Sequence, residues 1–232
     1  MSENIKKITK AFKVDLDSRE NQNILKPSAR PFNNQAHQVD EVVKKIYELI
    51  EDAKHSNDDI ILNHNKIKEA FFSPFKPQLK NAQVFLSHSH ADKNKALKVK
   101  DYLESETNHR VFIDSLFWDY KDDVLNKLAE YDNTSKIEDA FTLILGESLQ
   151  DMIEKCPYFV FLQSNNSVSC NQDLSCITYS AWIYEELKIA HSIRESRPTP
   201  MMESWQVSHN ISPFLESLET ITLSKLSHII NS

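Results

Sequence analysis

Hydrophobic positions beyond residue 80 form short continuous runs that alternate with stretches of helical spacing. Three runs are typical of buried strands, at 83–87, 110–114 and 158–162. Apolar residues at every third or fourth position predict helices near 96–103, 124–128, 149–153 and 181–194. Strands that are apolar along their whole length and separated by helices predict an α/β fold with a parallel sheet covered on both faces. In such a sheet ligands bind beyond the carboxyl ends of the strands, so side chains that follow these three runs are the first candidates for a site.

The first 80 residues follow a different pattern. Residues 1–35 are mostly polar and contain Pro27 and Pro31, so we expect them to be loosely ordered. Apolar residues then recur at helical spacing from 36 to 54, and a second helical stretch lies near 60–72. We therefore predict two regions, an N-terminal helical extension with its linker over 1–80 and an α/β domain over 81–232.

Composition excludes several kinds of nucleotide site. The chain contains one glycine, Gly146, where average usage would give about 16. A single glycine rules out the glycine-rich loops with which dinucleotide folds, P-loops and kinases hold phosphate groups. Any nucleotide chemistry here must therefore depend on side chains and helix ends.

Charge and cysteine usage bear on partners and compartment. Residues 81–232 hold 13 Lys and Arg against 22 Asp and Glu, which is a poor balance for binding nucleic acid. No apolar run approaches the roughly 20 residues of a membrane span, and the N-terminus does not have the pattern of a secretory signal. Three cysteines without a CxxC pair suggest reduced thiols. These features predict a cytoplasmic protein that binds neither nucleic acid nor membrane.

A histidine-rich loop after the first strand is one candidate site. His88, His90 and Asp92 alternate there, and their spacing resembles the HxHxDH metal box of metallo-β-lactamase-fold hydrolases. Lys93 stands where the last histidine of that box belongs, so a metal-dependent hydrolase is the weaker hypothesis. A simpler interpretation is that Asp92 lies in the first turn of the next helix, where the helix dipole favours a negative charge. We therefore predict no metal site.

A glutamate on an apolar helix face is the second candidate. When 181–193 is wound as a helix, one broad sector collects Trp182, Ile183, Leu187, Ile189, Ala190 and Ile193. Glu186 falls near the middle of this sector, whereas Glu185 lies among polar neighbours. A carboxyl group in apolar surroundings is desolvated, which raises its pKa and strengthens its electrostatic interactions. Pairing with a cation or a loop amide would be the structural alternative, but a helix that starts beside the expected ligand crevice, with Ser180 as N-cap, favours a functional role.

Four segments in order carry a family resemblance. They are Val84–Asp92 (VFLSHSHAD), Val111–Ser115 (VFIDS), Phe159–Ser164 (FVFLQS) and Ser180–Leu187 (SAWIYEEL). Together they resemble a TIR (Toll/interleukin-1 receptor) domain of the bacterial, NAD+-cleaving, anti-phage defence type (Thoeris-like). The resemblance covers about 83–230 and implies a flavodoxin-like parallel sheet flanked by helices.

The resemblance also implies an activity. Enzymes of this family cleave NAD+ between nicotinamide and ribose, with a glutamate four residues after a tryptophan, which here is Glu186 after Trp182. NAD+ is then a substrate, and no cofactor is expected. Stabilisation of the ribosyl cation is assigned to Glu186. The residues expected to contact substrate or to close the pocket are Ser87, His88, Ser89, Ser115, Trp118, Tyr120 and Trp182.

The outcome of the reaction and the partners stay open at this level. Cleavage by water would give ADP-ribose, and attack from within the substrate would give a cyclic ADP-ribose signal for a downstream effector. The alternative function is a non-catalytic adaptor that works by TIR–TIR assembly, for which Trp118 and Tyr120 suit a protein interface. The N-terminal helices are expected to support self-association or to dock a regulator.

Overall fold

The computed structural model describes residues 10–25, 39–54, 63–72, 81–129, 135–170, 175–192 and 208–232; in 116–121 and some other helical stretches the description covers the backbone alone. The strands in these ranges are β1 (Lys10–Asp15), β2 (Ala82–Ser87), β3 (Arg110–Ile113), β4 (Tyr158–Gln163), β5 (Ser169–Cys170), β6 (Cys176–Thr178), β7 (His209–Asn210) and β8 (Glu219–Thr220). The helices are α1 (Arg19–Ile24), α2 (Val39–Lys54), α3 (His64–Phe72), α4 (Lys93–Thr107), α5 (Ser115–Ala129), α6 (Ser135–Lys155), α7 (Ala181–Ser192), α8 (Ser212–Glu216) and α9 (Leu223–Asn231). None of these helices is both long and apolar enough to cross a bilayer.

Five strands form one sheet in the order β3-β2-β4-β1-β8, and every neighbouring pair is parallel. The predicted α/β class with a parallel sheet flanked by helices is therefore confirmed. Its first three positions follow the flavodoxin-like order, in which the chain reverses direction across the sheet between its first and third strands. The fourth position is different, because the N-terminal strand β1 occupies it instead of a strand that follows β4.

The central strands are buried along their length, as continuous apolar runs predict. In β4, Phe159 to Leu162 are all fully buried, and β2 likewise buries Val84, Phe85 and Leu86. The rings of Phe85 and Phe159 stack across the two strands with centroids 5.9 Å apart. This packing fixes where both strands end, and so where the polar residues that follow them lie.

Strand β1 corrects the expectation for the N-terminus. Residues 1–35 were expected to be loosely ordered and outside the α/β domain, yet Lys10–Asp15 pairs with β4 and β8. Phe12, Val14 and Leu16 are buried, and the Lys13 ammonium donates to the carbonyl of Leu215 at 3.0 Å. Because lysines stand beside these apolar residues, the hydrophobic pattern did not reveal the strand, which is only six residues long.

The division of the chain also differs from the predicted boundary at residue 80. One compact unit comprises 1–31, 81–115 and 150–232, and a second comprises 32–80 together with 116–149. The second unit is helical, as predicted for the extension, and α2 packs on α3 within it. Its buried residues include Val43, Ile46, Ile67, Ala70, Phe71, Val124, Leu128 and Ile144. Helical periodicity shows which face of a helix is buried but not which helix it is buried against, so it could not show that 116–149 group with 32–80.

The only described residue with a positive φ is Asn108, at 52°, directly after α4. Asparagine tolerates the left-handed conformation better than most residues with a side chain. It allows the chain to turn from α4 into β3 where many proteins use glycine. A chain with one glycine can therefore still end a helix in this way.

The cysteines differ from the prediction of three reduced thiols. Strands β5, β6 and β7 form a small antiparallel sheet; β5 and β6 precede α7 in the sequence, and β7 follows it. Cys170 lies directly opposite Cys176 in this sheet. The two form a disulfide, so the prediction is wrong for this pair. Cys156 is a free thiol, and burial raises its pKa to about 12, which makes it a poor nucleophile.

Candidate functional site

Four polar residues follow the carboxyl ends of two neighbouring strands. Ser87 and His88 come at the end of β2, and Asp114 and Ser115 come directly after β3. Leu86 pairs with Ile113 in the sheet, so Ser87 is level with Asp114 and His88 with Ser115. All four residues are buried. The parallel register thus brings two polar pairs together at the edge where α/β sheets bind ligands.

Glu186 joins these residues from helix α7. The hydroxyl oxygen of Ser180 accepts from the Ile183 amide at 3.3 Å, which confirms Ser180 as the N-cap and fixes where the helix begins. Glu186 then lies on the buried face with Ile183 and Leu187 and is 0% exposed. The prediction that Glu186 lies on the buried, apolar face of the helix is confirmed, but the groups that act on its carboxyl group are the polar residues Asp114 and Ser87.

Burial and a second acid raise the pKa of Glu186 well above its usual range. The largest cause is desolvation, followed by the charge of Asp114 and a hydrogen bond with it, while the Ser87 hydroxyl acts in the opposite direction. The two acids are therefore close enough to interact, although neither Glu186 oxygen has a partner of ordinary hydrogen-bond geometry in the described part of the chain. Two ionised carboxylates can only accept hydrogen bonds, so this pair bonds only when one of them holds a proton.

His88 lies beside Asp114. Its Nδ1 lies 2.7 Å from Asp114 Oδ1, and both side chains are almost fully buried. The contact is short, but it does not have the geometry of a hydrogen bond. Asp114 therefore interacts with His88 and with Glu186.

Buried polar atoms without partners are concentrated in this place. Over the ranges that the structure describes, eight buried side-chain nitrogen and oxygen atoms have no hydrogen-bond partner, and seven belong to Ser87, His88, Asp114, Ser115 and Glu186. Folded proteins satisfy nearly all such atoms, because an unpaired buried polar group costs roughly 1–3 kcal/mol. We call these five residues the acid-pair site. Two of the seven atoms, His88 Nδ1 and Asp114 Oδ1, face each other at 2.7 Å, and the other five are what a ligand would meet.

The other predicted site residues do not belong to the acid-pair site. Ser89 is half-buried at the start of the 3₁₀ turn His90–Asp92, and its carbonyl accepts from the Asp92 amide at 2.8 Å. Trp182 is half-buried one helical turn before Glu186. Trp118 and Tyr120 belong to helix α5, but their side chains lie outside the described residues, so the assembly alternative that invokes them stays a prediction.

Asp114 is the functional candidate that the sequence argument did not select. It was recognised only as the last residue of a strand motif. The signal was its position: a carboxylate directly after a buried strand, level with Ser87 in the neighbouring strand. A pairing register is needed to read that signal, and the sequence alone does not give one.

The histidine-rich loop does not converge into a metal site in the described residues. His90 is exposed, whereas His88 turns inward to Asp114. Asp92 is at the N-cap of α4, where the helix dipole favours its charge. Its carboxylate accepts from the Ser164 hydroxyl and, at 3.0 Å, from the Asn166 side chain. The simpler interpretation of Asp92, as part of a helix start, therefore fits its surroundings.

Compared with protein-family models, with curated proteins and with solved structures, the chain gave no match.

Proposed function

We propose that the chain cleaves NAD+ at the bond between nicotinamide and ribose, with Glu186 as the catalytic residue. The observation that carries this proposal is a fully buried carboxyl group, beside Ser87 and Asp114, whose oxygens have no partner in the described residues. Such a group is costly to bury, and its oxygens have no hydrogen bond of ordinary geometry within the described ranges. A ligand that develops positive charge would explain it.

The chemistry needs only one carboxylate. Nicotinamide in NAD+ is positively charged at its ring nitrogen, and it takes the electron pair of the broken C1′–N bond and leaves as a neutral molecule. No acid has to protonate the leaving group, in contrast to ordinary glycosidases. The positive charge passes to the ribose, and an ionised Glu186 in a dry site stabilises it. In hydrolysis, water then bonds to C1′ and its proton passes to the Glu186 carboxylate.

The remaining polar groups of the acid-pair site fit substrate positioning. Ser87 and Ser115 carry hydroxyl groups, and the Nε2 of His88 is buried without a partner in the described part of the chain. These groups donate to or accept from the ribose hydroxyls and the carboxamide. Trp182 forms a wall for the nicotinamide ring, and Ser89 contributes to the rim of the pocket.

The resemblance to TIR domains supplies the biological setting of the proposal. The product is ADP-ribose or a cyclic ADP-ribose, and it acts in bacterial defence against phage through an effector that senses the nucleotide. The protein associates with itself through TIR surfaces and the N-terminal helices. A cytoplasmic location stays a prediction, and the Cys170–Cys176 disulfide, which is typical of oxidising compartments, counts against it.

The test compares two adjacent glutamates on α7. Nicotinamide release from NAD+ is measured by mass spectrometry for the parent protein, for Glu186→Gln and for Glu185→Gln. Glu185 lies 3.6 Å from Lys188 and is partly exposed, so it is a matched control. We expect Glu186→Gln to lower the rate by about 100-fold or more, as loss of a group that stabilises transition-state charge does, and Glu185→Gln to leave it within about twofold. Equal rates for Glu186→Gln and the parent would refute the assignment. No release from concentrated parent protein would favour the adaptor alternative.

A further inference from the structure

The proposed reaction does not involve the Cys170–Cys176 disulfide. Cys170 lies in the two-residue strand β5, and Cys176 lies directly opposite in β6, six residues further along the chain. Cys170 is exposed, whereas Cys176 is half-buried. Exchange between a disulfide and a thiol requires that a thiolate reach one of the two sulfur atoms. The exposed residue of this pair meets that condition without any unfolding of the protein.

Strand β5 depends on the disulfide for its position. It forms an edge of the small antiparallel sheet, it pairs with β6 over two residues, and both of its residues are exposed. A pairing this short without a buried face is marginal by itself. A bridge between residues so close in sequence also restrains the unfolded chain less than one that closes a long loop. The disulfide therefore fixes β5 and contributes little to the five-stranded sheet, to which neither cysteine belongs.

Strand β6 is held by other bonds. The amide of Cys176 donates to the Ser212 hydroxyl at 2.7 Å, and its carbonyl accepts from the Ile211 amide at 2.9 Å. The rest of β6 pairs with β7. Its last residue, Thr178, is buried, and its hydroxyl accepts from the amide of Ser180, the N-cap of α7, at 3.2 Å. Opening the disulfide thus releases β5 and leaves β6 and the start of α7 in place.

We propose that the Cys170–Cys176 disulfide is a reversible modification site, at which a small thiol of the glutathione class bonds to Cys170 and Cys176 is the resolving thiol. The proposal goes beyond NAD+ cleavage and does not depend on it. In a reducing compartment disulfides are transient and serve catalysis or redox sensing. A reversible bridge therefore agrees with the predicted cytoplasmic location, whereas a permanent one does not.

The exchange proceeds in two balanced steps. A thiolate bonds to the Cys170 sulfur, the bond between the two cysteines breaks, and its electron pair passes to the Cys176 sulfur, which takes up a proton. A second thiolate then bonds to the sulfur of the attached thiol, and the Cys170 sulfur leaves and is protonated. The protein gains two thiols, and two molecules of the small thiol are oxidised to one disulfide. In the reverse direction, Cys176 displaces the attached thiol from Cys170 and restores the bridge.

Cys156 takes no part in this exchange. It is 2% exposed, and burial raises its pKa to about 12, so in the folded protein it is neither an attacking thiolate nor a target. Because it stays unreactive only while the fold is intact, its alkylation reports unfolding. The chain therefore contains its own control for experiments on the other two cysteines.

The first test asks whether the disulfide reacts in the folded protein. The full chain is treated with dithiothreitol in native buffer and in concentrated urea, and the new thiols are alkylated and counted by mass spectrometry. We expect the native rate to be at least about one tenth of the rate for the unfolded chain, because the exposed sulfur is already accessible. A disulfide that reacts only after global unfolding would be slower by about a thousandfold or more. A native rate lower than we expect, or alkylation of Cys156 in step with the other two, would overturn the proposal.

The second test identifies the modified sulfur with two variants. Cys176→Ser retains Cys170, and Cys170→Ser retains Cys176; both are incubated with glutathione disulfide, and the gain of one glutathione is followed by mass spectrometry. The difference in exposure predicts that Cys176→Ser reacts at least about tenfold faster. A smaller difference or the opposite order would overturn the assignment of Cys170. The reduced parent should return to the internal disulfide without keeping glutathione, and a lasting adduct would remove Cys176 as the resolving thiol.

Hydrogen exchange of the oxidised and reduced parent tests which strand is released. We expect the amides of Ser169 and Cys170 to exchange faster after reduction, because β5 loses its attachment. The amides of Cys176 and Ile211, which are bonded independently of the disulfide, should change by less than about twofold. Loss of protection at these two amides, or no change in β5, would mean that the bridge is structural and would overturn the proposal. Nicotinamide release is not measured in any of these tests, so their outcome and that of the Glu186 test are independent.

Discussion

Two buried acids lie at the same edge of the sheet but differ in their hydrogen bonding. Asp92 is 1% exposed, and its two oxygens accept from Ser164 and Asn166, with the Lys95 ammonium 3.5 Å away. Glu186 is 0% exposed, and its oxygens have no partner of hydrogen-bond geometry among the described residues. Burial of an acid alone therefore does not identify a functional group. The difference is whether the carboxylate oxygens accept hydrogen bonds from the protein itself. Such hydrogen bonds explain the burial of an acid by their contribution to stability, and an acid without them needs another explanation.

The bonded acid links three parts of the fold. The Asp92 group comprises Asp92, Ser164, Asn166, Lys95 and Asp17, and it joins the carboxyl ends of β1 and β4 to the start of α4. Asp17 adds to the link, because its second carboxylate oxygen accepts from the Asn165 amide at 3.0 Å. The acid-pair site also joins the ends of β2 and β3, through the 2.7 Å contact between His88 and Asp114, but the Glu186 oxygens have no hydrogen-bond partner in the described residues. Disruption of the two groups should consequently change different properties, stability in one case and binding chemistry in the other.

The largest stability effect is expected for Asp92→Ala. The change leaves Ser164 and Asn166 without their acceptor in a buried position, so we expect a loss of roughly 2–3 kcal/mol in the free energy of unfolding, measured by urea denaturation. Asp101→Ala, on the exposed side of α4, is the control and should cost less than about 0.5 kcal/mol. Nicotinamide release per folded molecule should not change. A drop in activity without a drop in stability would mean that hydrogen bonding does not distinguish the structural acid Asp92 from the functional acid Glu186.

The second prediction concerns the acid-pair site and pH. Because the pKa of Glu186 is raised, the folded protein binds more protons than the unfolded chain above about pH 4.5, and the stability of the parent falls as the pH rises through that window. Glu186→Gln removes the titrating group while keeping its size. The stability difference in favour of the variant should therefore grow with pH, by up to about 1.4 kcal/mol per unit until Glu186 is ionised.

Urea denaturation of both proteins across the pH range measures this difference. Glu185→Gln is again the control, and its stability curve should run parallel to that of the parent. A difference between Glu186→Gln and the parent that stays constant with pH would mean that folding leaves the pKa of Glu186 unchanged.

The sequence predicted the part of this comparison that depends on local pattern. Strands β2, β3 and β4 and helix α7 follow from apolar runs and helical spacing, and the burial of Glu186 follows from its angular position among Ile183 and Leu187. These features are decided within about ten residues of chain. They are therefore visible before any tertiary contact is known.

What the sequence did not predict depends on pairing between distant segments. Asp114 acquires its role from the register of β2 against β3, and Asp92 acquires its partners from the loop after β4, more than 70 residues away. Strand β1 was missed for a related reason: six residues with two lysines form a strand only because β4 and β8 pair with them. Register and pairing are properties of the assembled sheet, so local pattern cannot supply them.

The smallest expected effect is at the solvent-facing end of the Asp92 group. Lys95 lies 2.9 Å from Asp17, with side-chain exposures of 41% and 31%, and this contact raises the pKa of Lys95 and lowers that of Asp17. Lys95→Met keeps the aliphatic stem and removes the charge. We expect a loss below about 1 kcal/mol, because partly exposed ion pairs are screened by water and salt. The contribution of Asp17 is present at neutral pH and is lost as the pH falls through its lowered pKa.

Salt and pH titrations of the unfolding free energy test this last expectation. The difference between parent and Lys95→Met should shrink as the Debye length falls from about 10 Å at 0.1 M salt to about 3 Å at 1 M salt, and it should also shrink in acid. Lys225→Met is the matched control, since Lys225 lies 2.6 Å from Glu219 in a pair that is more than half exposed, and it should cost still less. If Lys95→Met costs as much as Asp92→Ala and is insensitive to salt, Lys95 belongs to the buried core of the group. The contrast between a bonded and an unbonded acid would then rest on a buried ion pair and not on hydrogen bonds from Ser164 and Asn166.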